Sequence, residues 1–134
     1  MQTFSIPIRV YIEDTDAGRV VFYANYLKFM ERARTEWLRS LGVELDVWQE
    51  QYKTLFVVRS VNIDYLMPAR FNDEVIATFE LEQLKGASMR CQQAIIRAGR
   101  VLTRASVTLA CVNADTLRPC AIPTPIREAV TVER

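Results

Sequence analysis

The 134-residue chain contains no histidine. Acid–base chemistry therefore falls to carboxylates, lysines and tyrosines, because imidazole is the one side chain that titrates unperturbed near neutrality. Ser-His-Asp and Cys-His nucleophile activation and imidazole metal ligation are excluded together. Ser88 and Cys91 lack a histidine to activate them. The cysteines Cys91, Cys111 and Cys120 are odd in number and widely spaced, which argues against a disulfide framework and against a C-x-x-C metal site. Cys91 and Cys111 fall in strand-like runs and read as small core residues.

The carboxylates gather in one loop, E-D-T-D-A-G-R-V-V-F-Y-A-N, residues 13–25. Asp16 is followed by Ala17 and Gly18, whose small side chains let a ligand approach the backbone closely. A carboxylate there can serve as nucleophile or general base, and free N–H groups at the start of a following helix can hold a developing oxyanion. By residue type alone, an aspartate in D-T-D-A-G is more often a turn residue or cap than a catalyst. Asp14 reads as the residue that orients the loop, and Glu31 as an ordinary solvated or ion-paired carboxylate.

The loop opens onto a helix. Tyr26, Phe29, Met30, Ala33, Trp37 and Leu41 recur at helical spacing over 25–41, and Leu27 and Leu38 widen their stripe to about half the circumference. So wide an apolar face must be wrapped by other elements. Asn25 is the expected N-cap, Gly42 the expected left-handed C′ residue, and Arg39 sits favourably near the negative end of the dipole. Arg34 falls inside the apolar arc and needs a carboxylate or carbonyl partner.

The wrapping elements read as strands. Phe4, Ile6, Ile8 and Val10 alternate, with Pro7 marking an edge strand or bulge. Residues 43–52 read as a short second helix or a loop. Residues 55–65 form a strand of confused parity, and residues from Glu74 onward form strands joined by short turns at 85–88 and 98–99. Residues 115–125 read as a proline-containing tail. Strand, long helix and about four further strands with short turns imply an α+β fold, one curved antiparallel sheet of about five strands around one helix.

Composition sets the outer bounds. The length suits one domain, 1–134, with a core that needs no staples. A formal net charge of +1 gives no field for nucleic acid. No apolar run has transmembrane length and no signal peptide is visible, so the expected location is cytoplasmic.

The stretch D-T-D-A-G-R-V-V-F-Y-A-N-Y-L-K-F-M-E-R-A-R, with F-V-V-R and Y-x-x-P-A-R at 65–70, resembles the hot-dog-fold acyl-CoA thioesterases. The likeness is to the Tol-Pal-associated group and the related 4-hydroxybenzoyl-CoA thioesterases, and it spans residues 8 to about 123. The resemblance implies a helix held in an antiparallel sheet, hydrolysis of a short aliphatic or aromatic acyl-CoA, no metal or organic cofactor, and assembly as a homodimer or homotetramer. It implies that Asp16 is the catalytic carboxylate and that the backbone N–H of Tyr23 polarises the thioester carbonyl. Tol-Pal-associated relatives usually carry histidine at this second position; tyrosine is the hydroxybenzoyl-CoA thioesterase pattern, and the exchange bears on substrate class. Lys85 matches a basic turn that contacts the coenzyme A nucleotide, while Gly86 and Ala87 replace further basic residues there. Arg59 and Arg90 are candidate phosphate contacts or else solvated strand-face charges. An acyl-carrier-protein thioesterase is the alternative enzyme, since both donors present the same pantetheine arm; a non-catalytic acyl-CoA-binding or assembly protein is the alternative outside enzymes.

Overall fold

The computed structural model describes residues 3–132. Five strands, β1 (Phe4–Arg9), β2 (Thr54–Tyr65), β3 (Glu74–Leu84), β4 (Ser88–Arg97) and β5 (Arg100–Asn113), form one sheet in the order β1-β3-β4-β5-β2, and every neighbouring pair is antiparallel. The helix α1 (Asn25–Ser40) lies across the sheet against β1, β3 and β4. A shorter α2 (Leu45–Tyr52) follows it, and α3 (Thr124–Val132) ends the described chain. This is the expected α+β hot-dog arrangement.

The wide apolar face of α1 is covered as its pattern requires. Phe29, Met30 and Ala33 are fully buried, and Trp37 stacks on Phe79 of β3 with ring centroids 4.1 Å apart. Gly42 adopts φ +85° and ends the helix in the left-handed region, where a side chain would be strained. The start of α1 differs from the expectation. Ala24, with helical backbone angles, holds the cap position, and Asn25 is the first helical residue. Its side-chain amide donates to Asp14 instead of accepting from the first turn, because a buried carboxylate is the stronger acceptor.

Pro7 lies on an edge strand, since β1 pairs only with β3. The confused parity of β2 has a physical cause: the register with β5 slips between Val58 and Ser60, so Arg59 is a bulge. Phe56 before it and Ile63 after it, opposite in parity, both pack against the core. Similar slips at Glu82 in β3 and Leu102 in β5 help the sheet curve around α1. The proline-containing tail leads into α3, which the pattern reading did not include. Its signal was Thr124-Pro125 at the start with Ile126 and Val130 four residues apart, both buried.

Candidate active site

A short 3-10 turn, Ile12–Asp14, delivers the chain from β1 into the loop. Asp14 is buried there at 7% exposure. Its Oδ2 accepts the Tyr11 N–H at 2.8 Å and its Oδ1 accepts the Asn25 side-chain amide, also at 2.8 Å. Asp14 thus joins the entry of the loop to the first residue of α1. The backbone adds a third tie, Phe22 N–H to the Asp14 carbonyl at 3.0 Å. Asp14 is the orienting residue that the sequence suggested.

Between these ties residues 15–21 fold back as a small hairpin, with Thr15 bridged to Val21. Asp16 N–H donates to the Val20 carbonyl, Arg19 N–H to the Asp16 carbonyl, each at 3.0 Å, and Arg19 takes φ 61°. The Asp16 side chain is exposed, and its Oδ1 accepts the Gly18 N–H at 2.8 Å. A Cβ at position 18 would lie 3.3 Å from that oxygen, so glycine gives the carboxylate its room. Among the described residues nothing donates to Asp16 Oδ2. One carboxylate oxygen is anchored and the other is open.

The segment after β2 clamps the far side of the loop. Val21 N–H donates to Ala69 at 2.8 Å, Phe71 N–H to Arg19 at 3.1 Å, and Val20 bridges Arg70. Tyr26, from the first turn of α1, accepts the Ala69 N–H on its hydroxyl at 3.0 Å, and Tyr65 donates its hydroxyl to the Tyr23 carbonyl at 2.9 Å. Burial pushes the Tyr26 and Tyr65 hydroxyls above the usual phenol range, so both remain protonated at neutral pH. Tyr23 is gripped by its carbonyl while its ring, 65% exposed, lies against Phe22 and edge-on to Tyr65. Among the described residues its N–H has no acceptor. An open carboxylate and an unpaired N–H therefore occur in one loop held rigid on both sides.

The remaining candidates sit elsewhere on the same chain. Arg59 is exposed on the bulge of β2. Arg90 lies in the row Arg90, Thr108, Ser60 across three strands, and its guanidinium engages Glu82 at 2.7 Å. Lys85 is exposed on the β3–β4 turn, at the opposite end of β3 from the Asp16 loop, roughly 30 Å away by strand rise. Within one chain Asp16 and Tyr23 share the loop between the 3-10 turn and α1, while Arg59, Arg90 and Lys85 lie on β2, β4 and the β3–β4 turn. Sequence reasoning missed Tyr26, Tyr65 and Ala69 as the fixtures of the Tyr23 peptide; the Y-x-x-P-A-R run that contains two of them was the available signal. Arg34 finds its carbonyl partner in the Gln93 side chain at 3.0 Å, and burial lowers its pKa. It borders a cavity of about 100 Å³ between α1, α2 and β2, otherwise lined mainly by Leu38, Leu45, Phe56 and Leu109.

Comparison with known proteins follows the same lines. Residues 10–130 match the family model of the thioesterase-like superfamily. The chain is 41% identical over 126 residues to the acyl-CoA thioesterase YbgC of Haemophilus influenzae, covering 94% of this chain and 93% of that one. It is 33% identical over 130 residues to the long-chain acyl-CoA thioesterase FadM of Escherichia coli, covering 96% and 95%. Among solved structures, a probable thioesterase from Bartonella henselae superposes with a TM-score of 0.87 at 32% identity, covering 91% of this chain and all of that one.

Proposed function

The chain belongs to the thioesterase-like superfamily and is a thioester hydrolase, and from that premise we propose that it hydrolyses short aliphatic or aromatic acyl-CoA thioesters at Asp16. The observation that supports this reading is that one braced loop carries both a carboxylate with an open oxygen, Asp16 Oδ2, and an unpaired N–H at Tyr23. The thioester carbonyl oxygen accepts the Tyr23 N–H, which stabilises negative charge as it develops. Asp16 either removes a proton from the attacking water or attacks the carbonyl carbon itself to give an anhydride that water then opens. In both routes the coenzyme A thiolate leaves and takes up a proton.

The site is read as shared between two copies of the chain. β2 is an edge strand with its outer side free, and it carries exposed Val58, Val61 and Tyr65. Such an edge is a pairing surface. An antiparallel pairing of two β2 strands would set the Thr54 end of one copy beside the Tyr65 end of the other. That brings the Lys85 turn, Arg59 and Arg90 of a second copy toward Asp16, which answers their separation within one chain. The three free thiols suit a cytoplasmic location.

Asp16→Asn is the direct test. Asparagine still offers an oxygen to the Gly18 N–H, so the loop is expected to keep its shape while kcat falls about two to four orders of magnitude. Near-wild-type turnover would remove Asp16 from the mechanism. Thiol release from a panel of acyl-CoAs of graded length, and from the same acyl groups on acyl carrier protein, tests the donor and the acyl class. Binding without turnover by the intact protein would favour the non-enzymatic reading. Light scattering that shows a fully active, concentration-independent monomer would refute the shared site.

A further inference from the structure

Cys111 is fully buried on β5, and Cys120 lies half-buried in the segment that returns along it. The two are directly opposed. Val112 is bridged to Pro119, Cys120 N–H donates to the Cys111 carbonyl at 2.9 Å, and Asn113 N–H donates to Arg118 at 2.8 Å. Antiparallel residues that share such a bond have Cα atoms about 5.5 Å apart, inside the window that a disulfide spans. Their Sγ atoms are already 3.8 Å apart, both thiols reduced. Closing that gap to about 2 Å asks for side-chain adjustment of the order of an ångström at each sulfur, with no change in register.

We propose that Cys111 and Cys120 form an oxidisable dithiol, a modification site at which a low-molecular-weight disulfide closes an intramolecular bond and pins the C-terminal segment to β5. Cys120, the more accessible sulfur, attacks the reagent disulfide R–S–S–R as thiolate and releases one R–SH after proton uptake. Cys111 then displaces the second R–SH from the Cys120 mixed disulfide, giving the Cys111–Cys120 bond. Two thiol hydrogens and two electrons pass to the reagent, which leaves as two R–SH. Burial pushes the Cys111 thiol up to about 12, so the first attack falls to Cys120. Cys91 lies on β4, donates to Gln93 and the Val107 carbonyl, and has no sulfur beside it, so it stays outside the pair.

The bond would reach beyond its own two residues. Cys111 N–H donates to the Ala87 carbonyl, Ile122 N–H to Gly86, and Arg127 of α3 holds the Lys85 and Gly86 carbonyls at 2.5 and 3.1 Å. The segment that carries Cys120 is thus the backing of the turn that presents Lys85. Oxidation would stiffen that backing. The bond itself does not depend on the hydrolase reading; only an effect on substrate affinity through Lys85 would.

The test treats the whole protein with a stepped excess of oxidised glutathione, alkylates remaining thiols under denaturing conditions, and reads intact mass and non-reducing peptide maps. The expected result is a fall from three alkylated cysteines to one, a mapped 111–120 crosslink, and at least tenfold slower amide exchange at Cys111 and Ile122, the two N–H groups that hold the turn. Cys91→Ser should form the same crosslink, and Cys120→Ser should form none. A glutathione adduct on Cys120 that never resolves, a bond to Cys91, or a linkage between chains would overturn the proposal. Crosslinking with unchanged exchange at Cys111 and Ile122 would overturn the claim that the bond stiffens the turn. Activity is measured separately, so a failed thioesterase assay leaves the thiol result standing.

Discussion

Replacing Asp14 by alanine removes a buried acceptor from two donors, the Tyr11 N–H and the Asn25 side-chain amide, each held at 2.8 Å. Hydrogen bonds to a charged group contribute about 1.5–3 kcal/mol each, and they share one carboxylate here, so the sum is less than additive. A loss of about 3 kcal/mol is the working figure. For 134 residues at about 2.1 cal/mol/K per residue, the unfolding entropy is about 0.3 kcal/mol/K, so that loss lowers Tm by roughly 10 °C. Asp14→Asn should be much milder, about 1 kcal/mol, because Asn25 can turn its amide and present its oxygen to the new side chain. Calorimetry on the two variants, with kcat/KM for one acyl-CoA, reads both stability and loop geometry. The alanine variant should also lose at least tenfold in kcat/KM, since the tie between the loop and α1 is gone. An alanine variant within about 1 °C of wild type, or an asparagine variant as damaged as alanine, would refute the reasoning about Asp14.

Three further outcomes are expected. Tyr26→Phe orphans the Ala69 N–H, which lies in a fully buried residue, and should cost about 1–3 kcal/mol, seen as a lower urea midpoint at unchanged slope. Arg127→Ala frees the Lys85–Gly86 turn and should raise KM for acyl-CoA about fivefold with kcat unchanged, whereas a fall in kcat alone would refute a binding role for that turn. Burial pushes the Cys91 and Cys111 thiols up to about 12 from an ordinary value near 9. The unfolded chain then sheds those protons first as pH rises through 9, so it binds fewer protons than the folded chain and stability falls, by about 1 kcal/mol per thiol at pH 10. Urea titrations at pH 8 and 10 check this, and Cys91→Ala should remove about half of the difference.

The helix, the strand order along the chain and the edge position of β1 were legible because each rests on a local signal. The 3.6-residue apolar period of α1 survives in its buried residues, and Gly42 and Pro7 carry their conformational limits in their own covalent structure. Two local signals misled for physical reasons. Asn25 has the composition of a cap, but a buried carboxylate eleven residues earlier claims its amide. β2 loses its alternation because Arg59 is a bulge, and a bulge exchanges the two faces without changing residue type. α3 was hidden by the prolines before it, which read as a tail although Pro125 suits a first helical turn.

For the site, what could be read was the pair and not what aims it. Asp16 and Tyr23 are seven residues apart in a loop whose small residues and helix start already suggested a carboxylate facing backbone donors. The peptide that bears the Tyr23 N–H is tied locally, its Phe22 carbonyl accepting the Asn25 N–H, while the peptide after it is held from far along the chain by Tyr65, forty-two residues away. Tyr26 anchors the same clamp through Ala69, forty-three residues on. A bound carbonyl restrains its own peptide plane and so the N–H of the next residue: Asn25, bonded to the Phe22 carbonyl at 2.8 Å, restrains the Tyr23 N–H, and Tyr65 restrains the Ala24 N–H. Tyr65 thus steadies the chain on the C-terminal side of the proposed oxyanion donor, and under that proposal the exposed ring at position 23 is not itself required. If the donor is the backbone N–H, as proposed, exchanging the side chain at position 23 leaves it intact as long as the Phe22 and Tyr23 carbonyls keep Asn25 and Tyr65 as partners.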